Sequence, residues 1–205
     1  MSAGLAATVA GGAVSVDEVD AREARLRSGP GAAALPAIGT AEGRQLRRWL
    51  TQLIVTERVV AAEAAARGLA ATGAPAEAEV LPDATARLEI GSVAAAALAD
   101  PLARALFADV TATVRVGDDE VAGYHARNLL RFAAPRPSAH GWRAPALAAP
   151  PLAQVRAAIA DHLLGAARRR AFRVWLDARR AALVRLAPGY EHPGDPRQPD
   201  NTHRH

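Results

Sequence analysis

The sequence has no cysteine and no lysine, a single methionine and only 4% aromatic residues. Without cysteine there is no disulfide, no thiol nucleophile and no thiolate metal site. All 25 basic residues are arginine, and against 21 acidic residues they leave a net charge of +4. The pI near 10.7 therefore reflects arginine's high pKa more than an excess of charge, and a charge this small disfavours nucleic acid as a partner. No apolar run approaches the roughly eighteen residues of a membrane span. Met1 to Ala13 carry neither a basic residue nor the sustained apolar stretch of an export signal. The expectation is a cytoplasmic protein with no membrane partner. A chain of 205 residues, half of them hydrophobic, supports one cored domain, expected over 1–187 with a Pro/His-rich tail over 188–205.

The expected class is mainly α. Ala7 to Val16, with Gly11-Gly12 at its centre, reads as a hairpin turned by the two glycines. Ser15 and Glu18 then form a capping box that opens a helix to about Arg27. Thr40 caps the clearest helix, 41–67, in which Leu46, Trp49, Leu50, Leu53, Val60 and Ala64 recur at three- and four-residue spacing. A linker over 71–84 precedes Ala-rich helices over 84–99 and 101–111, the second begun by Asp100-Pro101. Val114 to Gly117 reads as extended, and Asp118 begins a helix carrying Val121, Tyr124, Leu129 and Phe132. Five prolines break 133–151. The last helix, 152–180, carries an apolar stripe that moves to Ala171, Val174, Trp175 and Ala178 after Arg168-Arg169-Arg170. Ala182 to Leu186 is then expected to leave as a strand, with the N-terminal hairpin as the sheet that receives it.

Three segments carry a family resemblance. They are Thr8-Val9-Ala10-Gly11-Gly12-Ala13-Val14 followed by Val16-Asp17-Glu18-Val19; Arg47 to Leu69, RRWLTQLIVTERVVAAEAAARGL; and Val116 to Phe132, VGDDEVAGYHARNLLRF. Their order and cadence resemble the helical chaperone part of the SurA, PrsA and trigger factor family. In that family the third segment leads into a parvulin domain of roughly a hundred residues. Here only the Pro-rich stretch from Ala133 to Pro151 follows, so the resemblance implies a chaperone-like scaffold with an apolar groove and no prolyl isomerase module. A scaffold of this kind also supports unrelated chemistry.

Several residues are candidates for function. Glu57 lies between Leu53 and Val60 on the apolar face of its helix, where an unpaired carboxylate is costly to bury. It is read either as a structural ion pair with an arginine of another helix or as a general base of raised pKa. His140, beside Gly141-Trp142 in the irregular stretch, is the second acid/base candidate, whereas His125 and His162 read as packing or surface residues. Trp49, Leu53, Tyr124 and Tyr190 are candidates for the wall of a binding groove. Arg169 and Arg173 belong to the densest basic run and suit a carboxylate or phosphopantetheine group as well as a solvated helix face. In the tail, His192, Asp195, His203 and His205 offer imidazole and carboxylate, the ligands a divalent transition metal takes when thiolates are absent. The alternative there is a solvated tail, although prolines 188, 193, 196 and 199 stiffen the segment and favour its folding back.

Two function readings follow. One is a non-catalytic chaperone-like or binding protein that holds an apolar polypeptide segment or a small apolar ligand around the 41–67 helix. The other is a metal-dependent or acid/base enzyme of small-molecule metabolism, polyketide metabolism included, closed by the C-terminal cluster. The first needs an open apolar surface and the second an enclosed polar pocket.

Overall fold

The computed structural model of the chain describes residues 4–131 and 149–195. Strands β1 (Leu5–Val9) and β2 (Gly12–Ser15) form the antiparallel hairpin. Its turn is Ala10-Gly11, at φ 49° and 84°, one residue before the expected glycine pair. The reason lies at the open end. Ser15 must cap the following helix, and a turn at Gly11-Gly12 would pair it with Thr8, leaving Leu5 to Ala7 without β2 partners. The observed register sets Ser15 opposite Leu5 and Val14 opposite Ala7, and Val16 N donates to Gly4 O at 2.7 Å.

Helix α1 (Val16–Arg27) starts at the expected cap, with Ser15 Oγ accepting from Glu18 N at 3.1 Å. After a 3-10 turn at Ala32–Ala34, α2 (Ala41–Ala66) is capped by Thr40. This helix is the axis of the core. Thr51 to Thr56 are buried without interruption, because further elements surround it: α1 and β1, α5 (Ser92–Ala97), α6 (Pro101–Val110) and α8 (Leu152–Leu183). Its buried hydroxyls cause no loss of hydrogen bonding, since Thr51 and Thr56 Oγ1 donate back to the Arg47 and Gln52 carbonyls at 2.9 and 2.7 Å.

The Ala-rich segment departs from expectation. A short α3 (Glu77–Val80) lies within the supposed linker, and 84–99 divides into α4 (Ala84–Ile90) and α5 at Gly91, whose φ of 89° only glycine adopts readily. Val114 to Gly117 pairs with no strand among the described residues. Helix α7 (Asp118–Arg127) stops short of Phe132, where the Asn128 amide donates to Tyr124 O at 2.9 Å and competes with helix continuation.

The inward face of α8 is Ile159, Ala166, Arg169, Phe172 and Leu176; of the expected Ala171, Val174, Trp175 and Ala178, Trp175 packs against the core, half-buried. Val174 is 70% exposed, because Phe172 takes the seam, its ring 5.2 Å from that of Phe107 and 5.5 Å from that of Trp175. Strand β3 (Val184–Leu186) then pairs antiparallel with β1, giving the order β2-β1-β3. The fold is mainly helical, with a small sheet drawn from both ends of the chain. Among the described residues no helix is long and apolar enough to cross a membrane.

Candidate functional site

On α8, positions 173, 176, 177 and 180 fall on one side of the helix, the i, i+3, i+4, i+7 spacing of neighbouring side chains. Arg173, Leu176, Asp177 and Arg180 therefore form one wall of a half-open cleft of about 450 Å³. The end of α4 and the start of α5 supply the facing wall of Leu88, Ile90, Val93 and Ala94, and His192 enters from the C-terminal segment. Ser92 stands at the rim. Its Oγ accepts from Trp49 Nε1 at 3.1 Å and keeps its own proton to donate.

The charge in this cleft is unusual. Arg180 donates from Nη1 to Thr56 Oγ1 at 2.8 Å and from Nη2 to Gln52 Oε1, both neutral acceptors. No carboxylate of the described residues forms an ion pair with it, and burial pushes its pKa down against the opposing pull of Asp177. Arg173 is exposed, and among the described residues its guanidinium bonds the Glu89 carbonyl, at 3.3 Å. His192 is held below the ordinary imidazole pKa, first by desolvation and then by Arg180. Two cations, the Asp177 carboxylate and a largely neutral imidazole thus share one cleft with an aliphatic wall.

The C-terminal segment is seated on α2. Arg48 Nε donates to Gly189 O at 3.1 Å and Gln52 Nε2 to Tyr190 O at 3.0 Å, while the Tyr190 side chain packs against the core. Gln52 therefore links the segment to Arg180, its carbonyl oxygen accepting from one and its amide donating to the other.

The other sequence candidates occupy different places. Glu57 is not on the buried face; it is half-exposed and pairs with Arg22 of α1 at 2.6 Å, which corrects its placement and removes the burial that the general-base reading needed. Leu53 is 6% exposed and belongs to the core, with no free face for a client. Tyr124 Oη bonds His162 Nε2 at 3.2 Å across α7 and α8. Arg169 is consumed within the fold: its Nε and Nη2 reach Glu89 Oε2, both at 2.9 Å, and Nη1 reaches Val80 O at 3.3 Å. Arg179 likewise turns inward to Glu63, so the arginine run is not one positive face. His192 Nδ1 accepts from Gly194 N at 3.0 Å, and Asp195 N donates to His192 O at 2.9 Å. No group of three potential metal ligands occurs among the described residues. His140, His203 and His205 lie outside them. Sequence reasoning missed Asp177, Arg180 and Ser92 as site residues; the spacing of 173, 177 and 180 was the available signal for the first two.

Residues 5–42 match the model of a family of unknown function, DUF7158. That stretch spans the hairpin, α1 and the entry to α2, and none of the cleft residues falls within it. No curated protein and no solved structure matches the chain.

Proposed function

We propose that the chain is a non-catalytic, chaperone-like binding protein on a SurA-type helical scaffold, and that it holds an apolar polypeptide segment in the cleft between α4, α5, α8 and the C-terminal segment. The observation that carries this reading is the cleft's composition. An aliphatic wall faces two guanidinium groups and one carboxylate, Asp177, and among the described residues neither arginine forms an ion pair; the remaining positive charge beside apolar surface suits a ligand both apolar and anionic. The face of α2 is closed by packing, so the cleft replaces the groove around that helix as the binding surface. The return of α8 and β3 to the hairpin supports the scaffold, since the elements that follow the Pro-rich stretch join the sheet begun by the hairpin.

The test is to titrate the protein with a chemically unfolded, thiol-blocked polypeptide and follow binding by fluorescence anisotropy. Saturable binding that weakens in Leu88→Glu, a substitution at a side chain 81% exposed on the cleft wall, is the expected result. Absence of a complex at the highest soluble concentration, or a complex indifferent to Leu88→Glu, would overturn the reading.

A further inference from the structure

Resting on that reading, we infer that the cleft recognises the free C-terminal carboxylate of a polypeptide whose last residue is apolar. Three features of the cleft specify this end of a chain rather than its middle. First, an internal peptide segment carries no charge on its backbone and would leave the two guanidinium groups of Arg173 and Arg180 balanced by the Asp177 carboxylate alone. A terminal carboxylate accepts from both guanidinium groups and from the Ser92 hydroxyl, whose proton the Trp49 contact leaves free.

Second, Asp177 stands one helical turn from both arginines and lines the same cleft. Its carboxylate repels a second negative charge, which disfavours phosphate dianions and dicarboxylates. It also accepts a hydrogen bond from the backbone N–H of the terminal residue, which every peptide presents beside its carboxylate. Third, Leu88, Ile90 and Val93 lie on the wall facing α8, where an apolar last side chain is removed from water. The volume of about 450 Å³ is at the lower end for ligand sites and holds about two or three residues. The remainder of the polypeptide leaves through the open side. Capture of a chain end by a cluster of fixed donors is a recurring mode of peptide recognition.

The experiment compares fluorescein-labelled peptides ending in Ala-Leu as the free acid, the same peptide as the C-terminal amide, and a free acid ending in Ala-Asp. The expected result is binding of the Ala-Leu acid at least about tenfold tighter than of either control, the scale of one charge-assisted contact. Arg173→Gln, at an exposed side chain, should reduce the acid to the level of the amide and leave the amide's affinity unchanged. Circular dichroism of the variant checks that its fold is intact. Arg180→Met provides a second variant and should act in the same direction. Equal affinity for acid and amide would overturn terminal capture while the polypeptide-binding reading stands. Binding of neither peptide, with the unfolded polypeptide still bound, would also overturn it. Competition by octanoate as strong as by the peptide acid would assign the cleft to small carboxylates and overturn the polypeptide occupant.

Discussion

Replacing Glu63 by Gln tests how the core holds charge. Its carboxylate side chain is only 7% exposed and lies on α2 between two arginines. Oε1 accepts from Arg179 Nε at 2.7 Å and Oε2 from Arg67 Nη1 at 2.5 Å. Burial by itself would raise its pKa, but the hydrogen bonds and charges of Arg67 and Arg179 outweigh it and hold the carboxyl below its ordinary value. Breaking a fully buried pair costs about 3 to 5 kcal/mol, and losing an exposed pair costs about 0 to 1 kcal/mol. Here one partner is buried and the others are 32% and 40% exposed, so both guanidinium groups regain water when the charge is removed. Arg67 also keeps Asp109 at 3.3 Å and its place 5.2 Å from the Trp175 ring centroid. The expected loss for Glu63→Gln is therefore about 2 kcal/mol at pH 7, or about 4 to 8 °C in Tm for a domain of this size.

The pH dependence gives the sharper test. A carboxyl whose folded pKa is depressed contributes stability that is complete above its unfolded pKa, about 4.3, and is lost as pH falls through the folded value. Urea unfolding followed by circular dichroism should give a gap between the parent and Glu63→Gln that is constant near neutrality and narrows below about pH 4.3. A gap under about 0.5 kcal/mol at pH 7, the scale of a neutral surface change, or one that does not vary with pH, would refute the argument. A double-mutant cycle with Arg179→Met should return a coupling of about 1 kcal/mol.

Four further outcomes follow from single observations. Ala10→Gly relieves a left-handed alanine at φ 49° and should stabilise the protein by about 0.5 to 1 kcal/mol, seen as a higher urea midpoint at unchanged slope; destabilisation would mean that the turn is misassigned. Leu53→Ala empties a core position 6% exposed and should cost about 2 to 5 kcal/mol, a loss that would be absent if α2 were peripheral. A chain ending at Ala187 lacks the Gly189 and Tyr190 carbonyls that Arg48 and Gln52 bond; it should lose at least about 1 kcal/mol, and equal stability would detach the segment from the core. His162 is held below the ordinary imidazole pKa by burial and then by Arg131. As pH falls below about 6.5 the unfolded chain takes up a proton that the folded chain refuses, so stability declines toward the folded pKa. His162→Gln should flatten that decline, and an unchanged slope between the two proteins would contradict the assignment.

Local signals were legible wherever one residue type serves one backbone requirement. Ser15, Thr40 and Asp100 each accept the bond that starts their helix, because an N-cap is satisfied within three residues of itself. The strand after α8 was legible too, since Val184 to Leu186 follows the last helical turn and the hairpin has an edge to fill. The alanine-rich stretch was opaque: with little contrast between faces, its pattern does not reveal the break at Gly91 or the turn of α3.

The sequence by itself determined the class of fold, the starts of the main helices and the closure of the sheet, because caps, apolar spacing and turn residues act over a few positions. Only the tertiary structure decided which polar residues are structural and which remain for a ligand. Arg169 and Arg173 look alike in the chain, yet one faces Glu89, 80 residues away, and the other faces the cleft. Glu57 and Glu63 sit on one helix, yet α1 meets the first at the surface while α8 buries the second. A charged side chain's role is set by the partner brought to it from a distant element, and that pairing is fixed by the packing of helices rather than by local sequence.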